Sequence, residues 1–255
     1  MSGHSKWSKI KRHKGAQDQK RAKIFQKLAR EVSVAVRVGG SGDPQFNARL
    51  RAAVEAARAA EMPKDSIEAA IRRGLGEDGG TRYEEVVYEA YAPGNIALYI
   101  EALTDNRTRT VAELRNLFEN RGGSMGSAGC VAWMFKKKGY LVVLKRAAPE
   151  EKILEAIVEG GAEDFEDRGD HFEIYTALED FLPLRETLER SKIPVEYARL
   201  VFVPTNTVAL SPASNEGRKV QTLIEALEDH DDVQSVWTNA DFGDEASVEE
   251  DSTAA

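Results

Sequence analysis

The sequence predicts an α+β protein in three domains: a small amino-terminal helical bundle, then two α/β domains, one inserted in the other. Three observations point there. The chain has 255 residues with a 42% hydrophobic share, long enough for two or three cores and too apolar for wholesale disorder. Apolar residues recur at helical spacing over the first third, then give way to alternating strand-like and helix-like segments. Charge divides at the same place. Residues 1–80 carry 17 Lys/Arg against 9 Asp/Glu, a net of +8, whereas residues 81–255 carry 18 against 34, a net of −16.

Residues 1–15 mix Lys6, Lys9, Lys11, Arg12 and Lys14 with Trp7 and too few apolar residues for a core, so a mobile arm is expected. A helix follows from about Ala16 to Val38, with Phe25, Leu28, Val32, Ala35 and Val36 on one face. Lys20, Lys23, Lys27 and Arg30 centre nearly opposite that stripe and predict an exposed row of cations. Gly39–Gly42 ends this helix. Asp43 reads as the next N-cap with Pro44 at the first helical position, and Phe46, Leu50, Val54 and Ala57 as the buried face. Met62-Pro63 breaks the second helix. Asp65 and Glu68 resemble a capping box for a third, with Ile67 and Ile71 inside and Gly74 as its stop. Residues 76–80 (GEDGG) read as a linker, closing a first domain at 1–80.

Beyond it, residues 83–91 and 96–103 are strand-like and joined at Pro93-Gly94 as a hairpin. Thr110 with Glu113 suggests a capping box for a helix with Val111, Leu114 and Phe118 inward, closed by Gly122-Gly123. Residues 131–135 (VAWMF) read as a buried strand, followed by Lys136–Gly139. Residues 136–204 then hold a β-α-β-β-α-β series: 140–144, 149–159, 162–165, 171–176, 177–191 and 195–203. That order is the ferredoxin-like, split βαβ pattern. A strand at 208–210, a helix at 217–229 and a strand at 233–238 are too short for a core alone. Joined to 81–135 they complete a second ferredoxin-like domain, 81–135 plus 205–239, into which 136–204 is inserted. Residues 240–255 hold six acids and no bases and are expected to form a disordered tail.

Little supports catalysis. The four histidines lie in separate contexts, none at metal-ligand spacing with Cys130. Cys130, the sole cysteine, reads as a small core residue and fits a reducing compartment, so a cytoplasmic location is expected. No run of about 18 apolar residues suggests a membrane span, and no apolar segment follows the basic start to make a secretory signal. Eight acids between Glu163 and Asp180 alternate with apolar residues and read as wet strand faces rather than a Mg²⁺ site. Gly39–Pro44 lacks the lysine and spacing of a phosphate loop and reads as a helix break. Arg72 and Arg73 suit the negative end of the third helix. No catalytic residue, metal or cofactor is predicted, and a monomer is expected.

The basic segment is the leading functional feature. Lysines and arginines neutralise phosphates and release counterions, giving affinity without sequence readout. The candidate contacts are Lys6, Trp7, Lys9, Lys11, Arg12, Lys14, Lys20, Lys23, Lys27 and Arg30. Trp7 suits stacking on an unpaired base, a contact of about 1–3 kcal/mol; the alternative is that it folds onto the bundle as a staple.

Several blocks are recognisable: GHSKWSKIKRHKGAQDQKRAKIFQKLARE, GGSGDPQFNARLRAAVEAA, MPKDSIEAAIRRG, TDNRTRTVAELRNLFENRGG and VAWMFKKKG. The sequence resembles the YebC/PmpR family from Ser2 to about Asn239, although Thr108, Ala90, Ala92 and Asn95 depart from the family's usual residues. The resemblance implies three domains, a helical one followed by two α/β domains. It leaves no room for a presequence before Gly3. It implies a DNA-binding transcriptional regulator. A mitochondrial relative is a translational activator of cytochrome oxidase subunit I, and bacterial relatives are linked to the ribosome and proline-rich nascent chains. The alternatives are therefore a ribosome-associated factor binding ribosomal RNA or tRNA, and a protein-interaction scaffold. No catalytic residue carries over.

Overall fold

The computed structural model describes residues 18–77 and 83–243. In chain order the helices and strands are α1 (Asp18–Gly39), α2 (Ala48–Ala59), α3 (Lys64–Leu75), β1 (Glu84–Ala92), β2 (Ile96–Thr104), α4 (Arg107–Glu119) and β3 (Ser124–Met125). There follow β4 (Phe135–Leu144), α5 (Glu150–Glu159), β5 (Asp164–Asp167), β6 (His171–Thr176), α6 (Phe181–Arg190) and β7 (Tyr197–Pro204). The chain closes with β8 (Val208–Ala209), α7 (Asn215–Glu228), β9 (Val233–Thr238) and β10 (Ala240–Asp241). The fold class is α+β, as expected. The described chain falls into two compact units, one of 18–132 with Ser211–Thr238, the other of Trp133–Leu210 with 239–243.

In the first unit α1, α2 and α3 share a core of Val32, Ala35, Val36, Leu50, Val54, Ala57, Met62 and Ile67. Gly74 does not stop α3, which runs on to Leu75 and ends at Gly76, a left-handed C-cap at φ 83°. Gly74 instead lets two helices touch: an added Cβ would stand 2.6 Å from Ser33 O and 2.7 Å from Val36 Cβ. Ser33 Oγ donates across the same crossing to Ala70 O at 2.8 Å. The Asp65/Glu68 capping box is absent; Pro63 precedes α3 without a side-chain cap bond.

The start of α2 also differs from expectation. Asp43 caps a turn, not the helix: its Oδ1 accepts from Gln45 N–H at 2.9 Å, and its carbonyl from Phe46 N–H at 3.1 Å. Asn47 caps the helix, accepting from Leu50 N–H at 3.0 Å while its amide donates to Ala35 O at 2.8 Å and Ser41 O at 3.0 Å. A side chain that fixes three backbone segments outcompetes a purely local cap. Phe46 consequently stands before the helix and is 79% exposed, not part of the buried face.

The same unit holds a four-stranded antiparallel sheet in the order β3-β1-β2-β9. The β1–β2 hairpin turns at Pro93–Asn95, where Gly94 takes φ 75°. Leu98, Ile100, Leu114, Phe118, Val220, Leu223 and Leu227 are buried in this region. Asn106, not Thr110, caps α4, its side chain accepting from Arg109 N–H. Thr110 lies inside that helix and is buried. Residues 132–134 form a 3-10 turn rather than the expected strand. The preceding loop is held by Glu89, whose carboxylate accepts from the N–H groups of Gly129, Val131 and Ala132 at 2.6–2.7 Å. Burial pushes that carboxyl up, but the three donors outweigh it and hold it below the ordinary range. Cys130 is half-buried in this loop, not in a strand core.

The second unit carries a four-stranded antiparallel sheet ordered β5-β6-β4-β7, the split βαβ arrangement. Its β4 begins at Phe135, earlier than the expected start at Tyr140, and includes Lys136–Gly139. Leu141, Val143, Phe172 and Ile174 form its core with α5 and α6 through Ile153, Ile157, Leu184 and Leu188. The alternate residues are also buried: Tyr140 and Val142 are fully enclosed, and Glu173 and His171 nearly so. These two polar groups are therefore not on a wet face. Ala240 and Asp241, expected to begin the tail, pair in parallel with Val208 and Ala209; residues 244–255 lie outside the described residues.

Candidate nucleic-acid interface

The amphipathic pattern of α1 sets the geometry of its cations. Burying Val32, Ala35 and Val36 in the bundle turns Lys23, Lys27 and Arg30 away from that core. Lys23 is exposed, as the sequence predicts, whereas Lys27 and Arg30 are half-buried, and all three reach the carboxyl end of α7 and the residues just beyond it. Lys23 Nζ donates to Asp229 O at 3.1 Å, Lys27 Nζ to Glu228 O, and Arg30 to Asp231 O. The last carbonyls of a helix have no intrahelical donor and carry partial negative charge, so Lys23 and Lys27 complete them, while Arg30 reaches a carbonyl just past the cap. Lys27 is half-buried, and burial lowers its amine to about 8 despite Glu228, Asp229 and Asp231 raising it. Arg30 also lies over the Tyr83 ring at 5.4 Å.

Asp232, just beyond α7, joins this contact to α4. Its Oδ1 accepts from Arg30 at 3.2 Å, and its Oδ2 from Arg109 at 2.8 Å and Thr110 Oγ1 at 2.7 Å. Burial raises the Asp232 carboxyl, but the bonds from Arg109 and Thr110 and the charges of Arg109 and Arg30 overcome it and hold the group below its ordinary range. Arg109 also binds Asp105 at 2.9 Å. Sequence spacing gave no sign of this hub, since Asp232 lies more than a hundred residues from both Arg30 and Arg109.

Glu113, His230 and Asp232 bring ligand-type atoms within 4.8 Å of one another. His230 Nδ1 accepts from Asp232 N–H at 3.1 Å, so its neutral ring carries the proton on Nε2, facing Glu113 Oε2 at 3.1 Å. With Asp232 already bound by two arginines, the cluster is an ion-paired network rather than a cation cage. The adjoining cleft is lined by Lys23, Arg30 and Arg109 against Glu113, Asp229, Asp231 and Asp232. Three cations facing four carboxylates do not attract a polyanion.

Other cations are committed as well. Arg49 pairs with Glu31 at 3.0 Å and with Glu85, and Arg21 with Glu61 at 2.6 Å. Arg37, Arg72 and Arg73 make no ion pair among the described residues. Lys6, Trp7, Lys9, Lys11, Arg12 and Lys14 lie outside the described residues, and Lys20 is placed only as part of α1. Among the described residues no helix is long and apolar enough to cross a membrane.

Two family models match almost the whole chain: the TACO1/YebC protein N-terminal domain over residues 5–77, and the TACO1/YebC second and third domain over residues 83–240. A relative from Desulfatibacillum aliphaticivorans is 48% identical over 98% of this chain and 100% of its own. Another from Geobacter sulfurreducens is 48% identical over 96% and 98%. Both carry the name "Probable transcriptional regulatory protein". The crystal structure of a conserved hypothetical protein from Aquifex aeolicus matches with a TM-score of 0.79 at 43% identity, covering 88% of this chain and 91% of that one. The chain belongs to the TACO1/YebC family.

Proposed function

We propose that this member of the TACO1/YebC family is a non-enzymatic regulator of gene expression that binds nucleic acid, acting on DNA as a cytoplasmic transcriptional regulator. The observation that carries the reading is charge polarity: +8 over residues 1–80 against −16 over the rest. A basic element draws the phosphate chain, and acidic domains keep the remainder of the surface away from it. The names of the relatives agree with a regulatory role. Lys6, Lys9, Lys11, Arg12, Lys14 and Lys20 are the primary phosphate contacts, with Trp7 among them. Lys23, Lys27 and Arg30 brace α1 against α7 first, and add to the field of the basic segment rather than lead the contact.

The test is salt-dependent binding of the full chain to duplex DNA. Replacing Lys6, Lys9, Lys11, Arg12 and Lys14 by alanine should flatten the log–log salt slope by about 0.9 for each phosphate no longer neutralised. An unchanged slope discards the arm as the binding element.

A second reading, a translation factor on ribosomal RNA or tRNA, is favoured by one feature. Trp7 sits among five cations between positions 6 and 14, an arrangement suited to unpaired bases. Co-migration with ribosomal particles in a sucrose gradient, abolished by RNase, selects it; a defined promoter footprint selects the first.

A further inference from the structure

The glycine-loop end of the helical bundle differs from the rest of its surface. Phe46 is 79% exposed there, with Val38 at 65% and Leu75 at 50%. The segments carrying them meet: a Cβ on Gly42 would lie 3.1 Å from Leu75 Cδ1, and one on Gly39 would strike the side chain of Asn47, the neighbour of Phe46. Single exposed hydrophobes are ordinary, but three at one end of a small bundle are not.

The turn presenting Phe46 is held from several directions. Ser41 Oγ accepts from Asp43 N–H at 3.1 Å, and Asp43 closes the turn onto Gln45 and Phe46. Buried Asn47 ties it to α1 through Ala35 O. Arg51 clamps it from α2, donating to Pro44 O and Gln45 O, both at 3.1 Å. An aromatic ring on so fixed a base loses little freedom when something stacks on it. Arg37 ends α1, and Arg72 and Arg73 end α3. Among the described residues, the segments that meet here carry these three arginines and Arg51 beside the acids Asp43 and Glu77.

We propose that Phe46 is a stacking platform for a base of a single-stranded nucleic acid, with Arg37, Arg72 and Arg73 attracting the phosphates on either side and Arg51 holding the turn beneath the ring. This rests on the proposed nucleic-acid function and gives it a second binding point, selective for unpaired strands. The excess of cations and the single protruding ring fit a strand that offers a base face and phosphates together. A protein partner needs an interface of about 1,000 Å² or more, which three apolar side chains do not supply.

The experiment compares the full chain with Phe46→Ala and Phe46→Trp, binding a labelled uridine-rich single strand, the matching deoxyuridine strand, a duplex, and an abasic strand. Phe46→Ala should weaken both base-bearing strands about five-fold to a hundred-fold, and Phe46→Trp should restore them. Duplex and abasic affinities and the salt slope should not move, because every cation that meets a phosphate is still present. The strand that is weakened more identifies RNA or DNA as the source. Phe46→Ala should unfold at the same temperature, since the ring is exposed. Equal binding of Phe46→Ala and the parent to the base-bearing strands overturns the stacking role while leaving the arm's phosphate binding intact. A parent that binds no nucleic acid at low salt overturns both. A parent dimer that Phe46→Ala dissolves, with strand affinity unchanged, reassigns the surface to self-association.

Discussion

Two regions of the helical bundle carry arginines and lysines to opposite ends. Along α1, Lys23, Lys27 and Arg30 are engaged by the carbonyls beyond α7 and by Asp232. At the glycine-loop end, Arg37, Arg72 and Arg73 make no ion pair among the described residues, and Arg51 braces the turn beneath an exposed ring. Charge counted along the sequence does not distinguish the two regions. The arrangement in space does, because a cation already facing carbonyls and carboxylates must give them up before it meets a phosphate.

The sharpest way to break the contrast is at Asp232, the buried carboxylate of the engaged region. Asp232→Ala should destabilise the fold by about 2–4 kcal/mol in urea unfolding, at the lower part of what removing a buried partner costs because Arg109 is half exposed. Asp232 also has a pH signature. Its folded carboxyl lies below the ordinary 3.8, so its stabilisation is fully present above that value and is lost as pH falls through the depressed one. Asp232→Asn should therefore flatten acid unfolding below about pH 4; an unaltered acid limb would refute the ion-paired hub.

Gly74 sets the crossing shared by the two regions. A methyl there would overlap Ser33 O and Val36 Cβ, costing about 1–3 kcal/mol in overpacking, offset by up to about 1 kcal/mol of helix propensity. Gly74→Ala should thus lose about 1–2 kcal/mol in thermal unfolding. A stabilised variant would mean the crossing is looser than these distances.

The smallest expected effect is at Lys27. Its amine should titrate near 8 instead of the ordinary 10.5, measured as the ¹³C shift of the dimethylated side chain. Lys27→Met should cost about 1 kcal/mol or less, since methionine keeps the apolar stem and forgoes one hydrogen bond to a carbonyl. An ordinary titration midpoint would place the amine in water and remove the distinction between the two regions at that residue.

Much of the fold was legible because it follows from short-range periodicity. The hairpin at Pro93-Gly94, β6 and β9 lie where alternation predicts them, and the α1 stripe is the face that packs. The misreadings concentrate at helix ends. Asp43 with Pro44, Asp65 with Glu68, and Thr110 with Glu113 each satisfy a local capping rule, yet none caps the helix assigned to it. Several polar residues near a helix start can serve locally. The choice falls to Asn47 at α2, whose amide also reaches Ala35 O, to Asn106 at α4 while Thr110 turns to Asp232, and to no side chain at α3.

The sequence alone determined most of the helices and strands, the apolar stripe of α1, and that basic charge gathers at the amino-terminal end. These are properties of neighbours a few residues apart, set by backbone geometry and hydrophobic spacing. Tertiary structure alone decided which cations are occupied. Asp232 meets Arg30 across 202 positions and Arg109 across 123, and Phe46 is pushed outward by a turn that Asn47 and Arg51 fasten. Electrostatic and packing partners are chosen by distance in space, which no reading along the chain can measure.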